Sequence, residues 1–138
     1  MKSETVGYDA LVDSDALVGL IWENDLLHEK AIQLFTWAQQ QGLKLVTTSL
    51  VVSETATVLS YRNGQDDARR FLKFIETIDI IHVTPELYRA SLDFFKVQTK
   101  KRTSMVDCSN IVVARTYAIP TILSFDVFYR DYLPLKAA

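Results

Sequence analysis

Short apolar runs alternate with amphipathic stretches of helical period along almost the whole chain. Residues 8–13 (YDALVD), 43–47 (LKLVT), 79–83 (DIIHV) and 121–124 (TILS) read as strands, and a short fifth is expected over 132–135. Helical patterns fill the spaces between them. A short helix starts near Ser14, and a longer one covers 26–41 and is closed by Gly42. Ser49 caps a third, which runs to about Arg62 and stops at Asn63-Gly64. Further helices are predicted over 65–77, from the Thr84-Pro85 opening to about Thr99, and over 105–117. This alternation argues for an α/β fold, a parallel sheet with helices on both faces. No repeat, low-complexity tract or linker interrupts it, so one domain spanning 1–138 is expected.

The 138 residues are enough to bury a real core, and 49% of them are apolar. No apolar run approaches the ~20 residues needed to cross a bilayer. The first seven residues are polar and mixed in charge, with no export signal. Cys108 is the single cysteine, which excludes a disulfide framework. A soluble, cytoplasmic protein without membrane attachment is expected. The net charge of −2 neither points to a nucleic-acid partner nor excludes one.

The placement of the acids changes the picture. Asp13 follows ALV and Asp126 follows TILSF, each at the carboxyl end of a predicted strand. Ligands bind at that edge of open α/β sheets, so with the first and fourth strands adjacent both acids face one crevice. Each would serve equally as a helix or turn cap. Glu54 lies in a stripe with Leu50, Val51, Val58 and Tyr61, at spacings of three, four and seven. A carboxylate inside an apolar face stays charged only beside a compensating partner, unless it sits at the rim and reaches water. Asp107 shares a stripe with Ile111, Ala114 and Ala118, and Ser104 to Asp107 reads as a capping box. Capping and cation binding are compatible, since a helix N-terminus favours an anion. Four converging carboxylates repel unless something positive lies among them, and a hard divalent cation, Mg²⁺ or Mn²⁺, is the simplest answer. His28, His82 and Cys108 form no zinc set by spacing. They read as a surface, a strand and a packed residue.

Four segments carry a family likeness: LVDSDALVGL around Asp13, TTSLVVSETATVL around Glu54, SMVDCSNIVVA around Asp107 and ILSFDVFY around Asp126. In their order and spacing the chain resembles PIN-domain ribonucleases, and in its size the VapC-type toxins of toxin–antitoxin pairs. The resemblance implies a Rossmann-like three-layer PIN fold with sheet order 3-2-1-4-5. It implies a Mg²⁺- or Mn²⁺-dependent ribonuclease leaving a 5′-phosphate and a 3′-hydroxyl. Homodimerisation and inhibition by an antitoxin lying over the acidic cleft are implied too. Asp13, Asp107 and Asp126 would hold the metal, with Glu54 a further ligand or the group orienting the attacking water. Asp15 stands where many relatives carry Thr or Ser, and is read as favouring its helix N-terminus. Asn110, Ser14 and Ser124 are polar helper candidates.

Metal held by these acids would lower the pKa of a bound water and offset charge on the scissile phosphate. An acidic pocket alone repels RNA. Lys100, Lys101 and Arg102, with Arg62 and Arg115, are candidate phosphate contacts, although each reads equally as an ordinary solvated base. Trp22, Phe125 and Phe128 are read as core in preference to base-stacking groups. Trp22, Leu26, Leu27, Val58 and Leu59 are candidates for a dimer or antitoxin surface. Two alternatives stay open. LVDSDA also places D-x-D after a strand, as in haloacid-dehalogenase-like phosphatases using Asp13 and Asp15. A non-catalytic PIN-like binding module is the other. No P-loop or G-x-G-x-x-G is present.

Overall fold

The computed structural model describes residues 7–136, so the reading of the first residues as lacking an export signal falls, except for Gly7, outside the described range. Four parallel strands form the body of the sheet: β1 (Ala10–Val12), β2 (Leu45–Thr48), β3 (Asp79–Ile81) and β4 (Thr121–Leu123). Their order is β3-β2-β1-β4. Beyond β4 a two-residue β5 (Leu135–Lys136) pairs in parallel at the edge. The expected fifth strand over 132–135 is corrected accordingly. Tyr132 instead ends a 3₁₀ helix (Val127–Asp131) that the sequence pattern did not announce.

Helix pairs make the three crossovers among β1 to β4. α1 (Ser14–Ile21) and α2 (His28–Gln40) join β1 to β2; α3 (Ser49–Arg62) and α4 (Gln65–Ile75) join β2 to β3; α5 (Pro85–Lys96) and α6 (Met105–Thr116) join β3 to β4. Period-two alternation in the strands divides the core into two layers. Ala10, Val12 and Leu123 face one cluster with Leu17, Leu34, Leu59 and Phe71 of α1 to α4. Leu11, Val46, Ile81 and Ile122 face the other, with Leu87, Ile111 and Tyr129. Leu59 is therefore core, not a docking residue.

Local chemistry explains most boundaries. Gly42 and Gly64 take φ of +69° and +106° after α2 and before α4, a region that disfavours any residue with a Cβ. Thr84 caps α5 as expected, accepting from Leu87 N at 3.2 Å. The cap of α3 is Thr48, not Ser49: Thr48 Oγ1 accepts from Val51 N, while Ser49 Oγ accepts from Val83 N. α2 begins at His28, α4 ends at Ile75 and α5 at Lys96, all shorter than the patterns suggest. α6 ends at Thr116, and Ala118 beyond it has φ +55°. His82 lies past β3 and is exposed, whereas half-buried His28 places Nδ1 2.7 Å from Gly19 O. Cys108 is buried and packed. Among the described residues no helix is long and apolar enough to cross a membrane.

Candidate active site

Asp13 leaves β1 with its backbone N donating to Leu123 O at 3.1 Å, which fixes it at the carboxyl end of both central strands. Its side chain caps α1 by accepting from Ser14 N at 2.8 Å. Asp15 follows in the first turn of α1, and Asp107 closes the capping box of α6 with Ser104. Asp126 caps the 3₁₀ helix by accepting from Phe128 N at 3.0 Å. All four acids thus stand at helix N-termini, where the helix dipole favours negative charge.

Burial outweighs that help. Asp13 is only 4% exposed, and desolvation, reinforced by the charge of Asp15, pushes its carboxyl up to about 8. Asp15 is pushed up to about 6, again mainly by burial, against the hydrogen bonds it accepts. Asp107 is raised by burial and then by the charge of Asp126. These acids feel one another, and none of them has an ion-pair partner among the described residues.

Shared hydroxyls link the acids. Ser124 Oγ lies 3.0 Å from Asp13 Oδ2 and 3.2 Å from both oxygens of Asp15, which also accepts from Phe125 N at 2.9 Å. Tyr129 Oη lies 3.1 Å from Asp13 Oδ2 and 3.0 Å from Asp107 Oδ1. Asn110 Nδ2 donates to Asp13 Oδ1 and to Tyr129 Oη, each at 3.0 Å. The expectation for Asp15 is corrected here: besides standing in the first turn of α1, it is bonded into the cluster through the start of the β4 loop. Tyr129 was missed altogether.

Glu54 stands apart. The buried stripe of α3 is Val51, Thr55 and Leu59, while Tyr61 is 86% exposed, so Glu54 is half-buried at the rim and not within an apolar face. Ser14 Oγ donates to Glu54 Oε2 at 2.8 Å, which ties it to the α1 start. The two sit with Asp15, Leu27, Val58 and Arg62 around a hollow of about 200 Å³. On the other side Lys100, Lys101, Arg102, Asp107, Asp126 and Phe128 line one of about 300 Å³. Lys100 pairs with Asp131 at 3.2 Å. Arg115 is not in either group: its guanidinium lies over the rings of Phe94 and Tyr132, 5.7 Å from each, at the far end of α6. Leu26 is fully exposed, Phe128 is buried, and Trp22 and Phe125 pack partly buried against the core. A larger cavity of about 630 Å³ opens at the amino ends of β2 and β3, away from the clustered acids.

The donors on offer are oxygens, several of them carboxylates held together without an ion-pair partner among the described residues, which is the chemistry of a hard divalent cation. Their present pose is a different matter. Among the described residues no three acids, imidazoles or thiolates are arranged as a ready ligand set. The acid oxygens are turned toward hydroxyl, amide and backbone donors, so receiving a cation requires side-chain rotation. The donor set, all oxygen and largely buried, fits such a cation, which would replace the hydroxyl and amide partners the carboxylates now have.

A family model of the PIN domain matches residues 10–132, and the chain belongs to the PIN-domain family. Among curated proteins none matches the chain. Solved structures share its fold. VapC20 of Mycobacterium tuberculosis, a sarcin-ricin loop cleaving toxin, superposes with TM-score 0.80 at 23% identity over 89% of this chain and 94% of that one. VapBC2 of Rickettsia felis, bound to a promoter DNA fragment, gives 0.64 at 10% identity, over 92% of this chain and 96% of that one. A toxin–antitoxin complex of Klebsiella pneumoniae gives 0.65 at 11%, over 93% and 96%.

Proposed function

We propose that this chain is a divalent-metal-dependent ribonuclease, the toxin of a toxin–antitoxin pair, working in the cytoplasm as one PIN domain with β5 as the fifth strand of a 3-2-1-4-5 sheet. One observation carries the reading: Asp13, Asp15, Asp107 and Asp126 meet at the carboxyl ends of the central strands without a basic counter-ion among the described residues. Family membership and the toxin and toxin–antitoxin structures of like fold support this reading of the cluster.

Asp13, Asp107 and Asp126 would hold Mg²⁺ or Mn²⁺, with Asp15 and Glu54 beside them. The cation, when bound, supplies an acidified water and offsets charge on the phosphate. Ser124 and Asn110 orient Asp13 through the bonds they donate. Ser14 turns Glu54 toward the α1 start, where a carboxylate can accept a proton from an approaching water. Lys100, Lys101 and Arg102 on one side and Arg62 on the other flank the acids, the arrangement an RNA strand needs to cross a negative centre. An antitoxin covering the same cleft, and a second copy of the chain, are the proposed protein partners. The phosphatase alternative asks Asp13 to attack a phosphomonoester directly, which its burial and the hydrogen bonds it accepts from Ser14 N and Asn110 Nδ2 oppose.

The test is cleavage of a panel of structured RNAs by purified, antitoxin-free protein with Mg²⁺ or Mn²⁺. Cleavage should fall by ~100-fold or more in EDTA and in Asp13→Asn. Folded protein that cleaves no RNA with either metal, or Asp13→Asn with full activity, would overturn the reading.

A further inference from the structure

Tyr129 is fully buried, yet its hydroxyl is not used for packing. The ring lies in the second core cluster, in edge contact with Phe128 at 5.4 Å. Its oxygen meets Asp13 Oδ2, Asp107 Oδ1 and Asn110 Nδ2 within 3.0 to 3.1 Å. Hydrogen counting limits what these contacts can be. Asn110 spends both amide hydrogens, one on Asp13 and one on the phenol oxygen. The reverse amide orientation would face Asn110 Oδ1 to a carboxylate, so its direction is set by Asp13. The phenol therefore accepts from Asn110 and has a single hydrogen of its own for two acids, so a second bond to them needs a proton held by a carboxyl.

We propose that the Tyr129 hydroxyl is a positioning group that keeps Asp13 and Asp107 together while no cation lies between them. This rests on the metal-binding reading above and adds to it. Asp13 comes from the β1 end and Asp107 from the start of α6, two elements that Asn110 also links by donating to Asp13. Buried carboxyl groups left facing each other without a shared donor have unsatisfied oxygens and, whenever both are ionised, repel. A phenol at that point supplies a neutral donor and brings no charge to compete with an arriving cation. A cation held by these acids would compensate their charge and make the hydroxyl redundant.

The prediction is a stability difference that depends on metal, read without RNA. Tyr129→Phe keeps the ring and removes the hydroxyl. In EDTA it should lower the Tm by ~6 °C, the scale of a hydrogen bond to a charged group in a domain of this size. With saturating Mn²⁺ the loss should shrink to less than half of that. Tyr132→Phe, whose hydroxyl donates to Gln98 Oε1 away from the acids, should show the same small loss in both conditions. In an Asp107→Asn background the Tyr129→Phe loss in EDTA should also shrink, because only one of the two paired acids remains to repel. An equal loss with and without Mn²⁺, or a variant that fails to fold in both, makes the hydroxyl an ordinary structural bond and overturns the proposal. If Mn²⁺ leaves the wild-type Tm unchanged, the metal-binding reading itself falls, and this inference falls with it.

Discussion

Asp13 accepts from the first amide of α1 and is also pressed against Asp15 and Asp107, so one side chain is both a helix cap and a member of an acidic cluster. That double use made the acids legible in sequence. A strand ending in Asp, or a Ser-x-x-Asp at a helix start, is a recognisable local pattern whichever role dominates. Tyr129 was not legible, because its partners lie 116 and 22 residues away and only the fold joins them. In sequence it is one more aromatic in FDVFYRDY. The same burial predicts a pH dependence. Folded Asp13 and Asp15 titrate near 8 and 6 against an ordinary value of 3.8, so between those limits the native state holds protons that the unfolded chain has released. Stability must then fall as pH rises through that window. In EDTA the Tm should drop from about pH 5 to about pH 8.5, and Asp13→Asn should flatten most of the slope. Mn²⁺ should raise the Tm more at the alkaline end, where the acids are free to exchange a proton for a cation. A flat or rising profile in EDTA would mean that the acids are already ionised in the folded protein.

Elements were legible where short-range chemistry specifies them. The Thr84-Pro85 opening, the Ser104 box and the glycines at 42 and 64 each fix an end through one or two residues. The misreadings fall where partners at long range decide. Ser49 looked like a cap but is used by Val83 N beyond β3, which leaves Thr48 to cap α3. Glu54 looked central to an apolar stripe because the wheel cannot say that Tyr61 points to solvent while Thr55 is buried. The 3₁₀ helix after β4 has no period long enough to read, although it positions both Asp126 and Tyr129. The end of α6 offers a test at this scale. Ala118 holds φ +55°, a conformation costly for any residue with a Cβ, and it follows the last turn of the helix that carries Asp107. Ala118→Gly should raise unfolding stability by about 0.5–1 kcal/mol, as relief of the steric cost exceeds the added freedom of the unfolded chain. Chemical denaturation with an unchanged m-value is the measurement, and a loss of stability would show that the backbone there is not strained.

Across the whole molecule, charge of both signs is arranged around one edge of the sheet. Buried acids occupy the centre, the loop bearing Lys100, Lys101 and Arg102 borders the Asp107 and Asp126 side, and Arg62 borders the Glu54 side. The net charge of −2 conceals this, because a sum over the chain carries no position. If RNA crosses the edge, its phosphates exchange condensed counterions for these side chains, and the salt dependence of binding counts the exchanges. Substituting Lys100, Lys101 and Arg102 together by alanine should reduce the slope of log K against log salt by ~2, at about 0.7 per phosphate contact on a single strand. Arg62→Ala should remove less than one such contact. Arg115→Ala should leave the slope unchanged, because that guanidinium is already stacked on Phe94 and Tyr132 at the opposite end of α6. Binding would be measured with the Asp13→Asn protein in EDTA, conditions in which cleavage is expected to be lost and not to distort the equilibrium. A slope carried by Arg115 and indifferent to the 100–102 loop would place the RNA on another face and separate the acidic centre from its proposed substrate.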